Sequence, residues 1–178
     1  MLHSMKKNTG RIGVVLSSGA LFRNTEKLIR QNIIQNHDFL VAVIQIGSNI
    51  FYGATIAPCI LIFKHTKSKS EKNNVLFINA SEIYQSGRAQ NYLLDSHVNK
   101  ILKIYKEREE IQFISKIVTL SELSKQDWNL SISRYIEPKS KENSIPLKQT
   151  IYDLKKSIDE YEKSDKDLKK KLQSEGLF

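Results

Sequence analysis

The sequence predicts an α/β fold carrying a long C-terminal helix. Three observations support this: apolar runs short enough for buried strands, a helical segment and a glycine-bearing loop between those runs, and a heptad pattern confined to the residues after Pro146.

The first strand is expected at Arg11–Leu16, a β-branched run closed by Ser17-Ser18-Gly19, and its apolar residues on both faces predict an interior position. Asn24 or Thr25 can cap a helix reaching about Gln35, with Leu28, Ile29 and Ile33 along one side, before His37-Asp38 turns the chain. Phe39–Ile44 and Cys59–Phe63 predict two further buried strands, separated by a loop from Gly47 to Pro58. The polar, low-complexity stretch Lys64–Asn74 predicts an exposed connector. Val75–Ile78 follows as a short strand. Asp95 can cap a helix with Val98, Ile101, Leu102 and Tyr105 at i, i+3, i+4, i+7. Ile117–Leu120 reads as one more short strand, and Asp127–Ile136 as irregular, packed chain.

Beyond Pro146, the positions Leu147, Ile151, Leu154, Ile158, Tyr161, Asp165, Leu168 and Leu172 alternate spacings of four and three. That is a heptad seam with one polar member, Asp165, which either sets register or marks a weak point. So narrow an apolar stripe is marginal alone in water and must pack on another helix, in this chain or in a partner.

Hydrophobic residues make up 40% of the chain and charged residues 26%, which excludes a disordered polyelectrolyte. The net charge of +9 favours a polyanionic partner, with solubility alone as the alternative. Residues 1–66 hold seven Lys/Arg against two acids, whereas residues 139–178 are nearly balanced, ten Lys against eight acids. Cys59, the single cysteine, lies within an apolar run and reads as core packing, and its lack of a disulfide partner fits a reducing cytoplasm. No apolar run approaches the roughly 20 residues needed to span a bilayer, so no membrane partner is expected.

The residues then become recognisable. Gly10-Arg11-Ile12-Gly13-Val14-Val15-Leu16-Ser17-Ser18-Gly19-Ala20-Leu21-Phe22-Arg23, Asn49-Ile50-Phe51-Tyr52-Gly53 with Pro58-Cys59-Ile60-Leu61, Val75–Ala80, Gly87–Leu93 and Asp127–Tyr135 occur in a fixed order over about residues 5–137. Together they resemble the C-terminal part of the DNA adenine methyltransferase (M) subunit of type I restriction-modification systems. The resemblance implies a Rossmann-like methyltransferase sheet of order 3-2-1-4-5-7-6, of which this chain supplies a partial sheet, strands 5, 6 and 7 only, followed by a coiled-coil-like helix. The regions expected are 1–66 for that sheet, 67–138 for a family-specific extension, and 139–178 for a linker and a heptad helix suited to subunit contact.

The family binds S-adenosylmethionine at a loop after strand 1 and positions the adenine amine with Asn-Pro-Pro-Phe/Tyr after strand 4. No Asn-Pro-Pro occurs here, the three prolines being Pro58, Pro138 and Pro146. The resemblance therefore implies no catalytic residue, no cofactor-binding residue and no bound cofactor for this chain alone, and an origin as a truncated product, an internal start or a split subunit. Methylating an exocyclic amine needs a donor, a base moved out of its stack and acceptors for the amine protons, so the chain alone is expected to be inactive. One substrate contact is implied: Phe51, with Tyr52 beside it, matches an aromatic that stacks on the extruded adenine in related enzymes. The competing reading makes Phe51 a loop aromatic tucked onto the core. Ile56-Ala57-Pro58 departs from the family's Ile-Pro, so the path after Tyr52 is open to change.

The partners implied are the missing N-terminal part of the M subunit, DNA in the assembled complex, and a DNA-specificity subunit docked through Ile151, Leu154, Ile158, Tyr161, Leu168 and Leu172. Taken alone, that last contact would make the chain a non-enzymatic binding module. Among other residues, His3, His37, His65 and His97 lack metal-ligand spacing and read as surface histidines. Ser17-Ser18-Gly19 reads as a structural turn rather than a hydrolase serine. Arg88, Gln90 and Asn91 either touch phosphate or serve loop hydrogen bonds, and Trp128 and Tyr135 read as packing anchors.

Overall fold

The computed structural model describes residues 2–53, 55–137 and 147–175. The chain divides into two units, Met1–Pro138 and Lys139–Phe178.

The first unit is built on a five-stranded mixed sheet: β1 (Arg11–Ser17), β2 (Leu40–Ile46), β3 (Pro58–Lys64), β4 (Asn74–Ala80) and β5 (Ser115–Thr119), in the order β1-β3-β2-β4-β5. β3 runs antiparallel to both β1 and β2, β2 and β4 are parallel, and β5 is antiparallel to β4. The apolar residues of β4 alternate between two cores, as the two-residue period of a strand requires. Val75 and Phe77 join Leu40, Val43, Cys59, Phe63 and Val118 on one face, while Leu76 and Ile78 join Ala42, Ile44 and Ile46 on the other. The first face is covered by Leu21, Ile34, Leu123 and the chain from Trp128 to Ile136. The second is covered by α2 (Asp95–Glu107) through Ile104, with Ile101 and Tyr105 packed beside it.

Several expectations change. Within this sheet β1 lies at the edge rather than in the interior, since it pairs on one side alone, with β3, which inserts between β1 and β2. Its burial alternates, with Arg11, Gly13, Val15 and Ser17 exposed. The sheet exceeds the three strands that the resemblance implies, since the strands expected at Val75–Ile78 and Ile117–Leu120 join it as β4 and β5 beyond β2. The segment after Arg23 breaks into a 3-10 turn (Asn24–Glu26), the short helix α1 (Lys27–Gln31) and a π turn (Asn32–Asn36), with no side-chain cap at either Asn24 or Thr25. Leu28 and Ile29 are 76% and 59% exposed, and the inward side is formed by Arg30 and Ile34. The Arg30 guanidinium donates to the carbonyls of Trp128 (2.9 Å), Ala20 (3.1 Å) and Arg23 (2.9 Å), so a buried charge rather than an apolar stripe holds the helix down. Burial depresses this guanidinium's pKa and the nearby Glu26 opposes that.

The connector Lys64–Asn74 is not an exposed linker, for Lys67 and Glu71 are both 6% exposed. The topology explains this. β3 lies on one side of β2 and β4 on the other, so the chain must pass beneath the N-terminal end of β2, where Asp38 stands. Asp38 accepts from the Lys67 ammonium (2.5 Å) and the Asn73 amide (3.0 Å), and Lys67 also donates to the Asn74 carbonyl. Glu71 pairs with Lys64 and accepts from the amide and hydroxyl of Ser68 (2.9 Å each). Burying Lys67 and Glu71 is tolerated because each has an oppositely charged, hydrogen-bonded partner. Arg108 beside them donates to the Asn74 side chain and keeps two buried guanidinium nitrogens without a hydrogen-bond partner among the described residues.

At α2 the N-cap is Leu94, with Asp95 inside the first turn; the His97 ring nitrogen reaches back to the Leu94 amide (3.2 Å). Val98 and Leu102 are 46% and 40% exposed, so the buried face is displaced toward Ile104. β5 ends at Thr119, which opens α3 (Leu120–Lys125) with a capping box: Thr119 Oγ1 accepts from the Glu122 amide and the Glu122 carboxylate accepts from the Thr119 amide. Trp128 is buried, and the Tyr135 ring lies 4.5 Å from that of Phe77 between centroids, so both pack against the core.

The second unit contains α4 (Leu147–Ser174), 28 residues of continuous helix. Of its expected seam, Ile151, Leu154, Ile158, Tyr161 and Leu168 are 45–72% exposed and Asp165 pairs with Lys169 (2.7 Å). The expected linker before Leu147 lies outside the described residues.

Candidate functional site

The residues singled out in the β2–β3 loop sit at the C-terminal end of β1, the end at which α/β sheets hold ligands. Val15, Leu16 and Ser17 of β1, Pro58 at the start of β3, and Phe51, Gly53, Thr55 and Ile56 of the loop line a cleft of about 470 Å³, within the roughly 300–1,000 Å³ usual for small-ligand sites. Phe51 is 45% exposed and forms part of its wall, and Tyr52 is 98% exposed beside it. Phe51 is thus not buried in the core.

The loop is held from behind. Gly87 allows a tight turn in which Gln85 and Tyr92 form a bridge; a Cβ at Gly87 would fall 2.3 Å from the Gln90 carbonyl oxygen. From this turn the Asn91 side chain donates to the Ser48 carbonyl (2.9 Å), the Asn91 amide donates to the Asn49 carbonyl (2.9 Å), and the Gln90 side chain donates to the Ile50 carbonyl. Asn49, at φ 55°, returns a bond from its side chain to the Ala89 carbonyl (3.2 Å). Gln90 and Asn91 therefore serve loop hydrogen bonds and hold the backbone that presents Phe51. Gly47 completes the packing, since a Cβ there would meet the Tyr84 ring at 2.6 Å.

Chemically the cleft is apolar with two hydroxyls, Ser17 and Thr55, and its lining includes no titratable side chain. It can hold a flat apolar or aromatic group; it cannot move a proton. Ser17 leads directly into a 3-10 turn (Ser18–Leu21) in which a Cβ on Gly19 would meet the Arg23 guanidinium at 2.6 Å, so Ser17-Ser18-Gly19 shapes a turn. S-adenosylmethionine carries a charged amino-acid end and ribose hydroxyls, and the cleft offers no charged group or carboxylate to meet them. The residues present do not fit that cofactor.

Elsewhere, Cys59 is buried in β3, and burial pushes its thiol up to about 11, which leaves it inert at neutral pH. His37 stacks on Phe39 at 5.1 Å, and His65 accepts weakly from the Asn8 amide. The side chain of His3 lies outside the described residues. Among the described residues no group of three or more His, Cys, Asp or Glu could hold a metal ion, and no helix is long and apolar enough to cross a membrane.

The chain is similar to several known proteins. The type I restriction enzyme MjaVII methylase subunit of Methanocaldococcus jannaschii is 34% identical over 172 residues, covering 94% of this chain and 28% of its own length. The crystal structure of the type I restriction-modification methyltransferase subunit from Streptococcus thermophilus matches with a TM-score of 0.72 at 33% identity, over 77% of this chain and 28% of that one. A structure from work on complex assembly and conformational transition of the type I system shares the fold, with a TM-score of 0.60 at 16% identity over 98% of this chain and 38% of that one. The chain thus spans little more than a quarter of the methylase subunit it matches in sequence. The family model described as N-6 DNA methylase matches residues 1–144, and the chain belongs to that family.

Proposed function

We propose that this chain is the C-terminal part of a type I M subunit's catalytic region, and that the whole protein transfers a methyl group from S-adenosylmethionine to the N6 amine of adenine in DNA. The observation that carries this is the family match over residues 1–144 together with the order β1-β3-β2, its middle strand antiparallel, which agrees with strands 5-7-6 of the sheet the resemblance implies. The outer edge of β1 is the position strand 4 would take, so a cleft walled by β1 and Phe51 would border the groups that act on the amine. Phe51, assisted by Tyr52, would stack on the extruded base, worth about 1–3 kcal/mol. The cofactor pocket and the acceptors for the amine protons would come from the remainder of such a subunit, in the cytoplasm.

Because the cleft lining holds no titratable group, the chain alone is inactive in this reading. The purified chain should transfer no methyl group to adenine-containing DNA. A polypeptide of the same family that ends after strand 4 should restore transfer when mixed with it. Turnover by the chain alone refutes the reading.

A second reading, supported by the exposed seam of α4, makes the chain a non-enzymatic module that docks on a DNA-specificity subunit. Replacing Leu154 and Ile158 by Asp should then abolish co-purification with that subunit, and unchanged capture rejects it.

A further inference from the structure

Behind the turn that follows β1, a second and smaller cleft of about 190 Å³ is lined by charge. Lys27 and Arg30 reach it from α1, Lys125 from the end of α3, and Arg134 from the chain after Trp128; the one carboxylate is Asp127, and Phe22 forms part of the wall. Four cations drawn from three separate segments therefore line the cleft with one acid, while Glu26 beside Arg30 and Glu122 one turn back from Lys125 stand outside the lining.

Their existing partners leave positive charge in excess. Asp127 is engaged by Lys27 at 3.0 Å. Arg30 is buried and spends its donors on three backbone carbonyls with Glu26 nearby, so the charge left for a ligand is that of the exposed Lys125 and Arg134. Arg134 donates to the neutral Gln126 side chain (2.7 Å). Glu122, one turn back from Lys125, is engaged with Thr119 and Lys116, and among the described residues Lys125 forms no ion pair. Phe22 is 49% exposed at the rim, a poor position for an aromatic unless something flat covers it.

We infer that this cleft is a phosphodiester-binding subsite for a nucleic-acid strand, with Lys125 and Arg134 contacting the backbone and Phe22 stacking on an adjacent base. A basic concavity supplies affinity without sequence information, and an aromatic at its edge is the usual companion in single-strand binding. The inference rests on the reading of the protein as part of a DNA methylase. It adds a place where the strand is gripped, apart from the cleft in which a base would be held. Ser17 lines that first cleft and Phe22 the second; the five residue steps from one to the other span at most about 18 Å, so one strand would meet both within a few nucleotides.

The test uses the chain as it stands, a fluorescent duplex and its single strand, and anisotropy over a range of salt. Lys125→Gln with Arg134→Gln, both on exposed residues, should flatten the slope of log affinity against log salt on the duplex by about 1.8, two phosphate contacts' worth. Lys100→Gln with Lys106→Gln, on α2 at the opposite face of the sheet, is the control and should change it much less. Phe22→Ala should weaken single-strand binding about tenfold with the slope unchanged. If inorganic phosphate at matched ionic strength displaces the DNA from the wild-type chain and not from the double variant, the site takes the phosphate group itself. Displacement from neither places the recognition in the extended backbone. Equal slope changes in the two double variants would reduce the effect to general charge and overturn the subsite, as would an absence of DNA binding at low salt. Restored methyl transfer in the mixing experiment, alongside either of those results, would sink this site alone and leave the methylase reading standing.

Discussion

Replacing Glu71 by glutamine removes one charge from the chain that crosses beneath β2 while keeping its volume. Burial alone would raise this carboxyl, but the Lys64 ammonium and the two donors of Ser68 overcome it and hold the pKa at about 2 against an ordinary 4.5. A group held that low in the folded state stabilises it at neutral pH by about 3 kcal/mol, at about 1.4 kcal/mol for each tenfold in proton affinity. The sign follows from the depressed value. The contribution is complete above the unfolded pKa and disappears as pH falls through the folded one, so its window runs from about pH 5 down to about pH 2. Glutamine keeps an acceptor for Ser68 but leaves Lys64 without a counter-charge, and the expected loss at pH 7 is about 2–3 kcal/mol. Urea titrations followed by the emission of Trp128, the single tryptophan and a buried one, report on the first unit. The gap between wild type and Glu71→Gln should shrink to roughly half by pH 3. A gap below about 0.5 kcal/mol at pH 7, or one equally large at pH 3, refutes the account of this carboxylate.

Arg30→Met should cost about 2–4 kcal/mol, since it strands three carbonyls that the guanidinium now satisfies, and a melting temperature unchanged from wild type would show that the helix is held by other means. Thr119→Ala removes one half of the capping box at α3 and should cost about 1 kcal/mol in urea titration. Phe51→Ala, at a half-exposed position, should change stability by less than about 0.5 kcal/mol. The same substitution should cut methyl transfer about tenfold or more in the mixing experiment; full activity would remove Phe51 from the base site.

The second and third strands were legible because burial on both faces leaves a continuous apolar run, and β2 and β3 have it. β1 carries a similar run and lies at the edge all the same; sheet order depends on where β3 inserts, which no local pattern records. Lys64–Asn74 misled for a related reason. Its composition is that of a linker, and the partner that lets Lys67 be buried is Asp38, 29 residues earlier in the chain. The strand expected at Ile117–Leu120 runs one residue past β5 into α3, where the capping box Thr119-x-x-Glu122 ends it. At the site, the aromatic pair Phe51-Tyr52 came from resemblance alone. The hold exerted by Gln90 and Asn91 depends on contacts 40 and 43 residues apart, beyond the reach of spacing arguments.

The crossing beneath β2 has a consequence for anyone who would cut or lengthen this chain. A stretch rich in Lys, Ser and Asn invites an inserted tag, a new pair of termini or a tryptic nick, on the view that such stretches are spare. Here it is tied to Asp38 at the start of β2, so an insertion between Lys67 and Asn73 would strain or break those contacts where β4 begins. Lys69 and Lys72 face solvent and should yield to trypsin, while the bond after Lys67 should survive until the sheet itself opens.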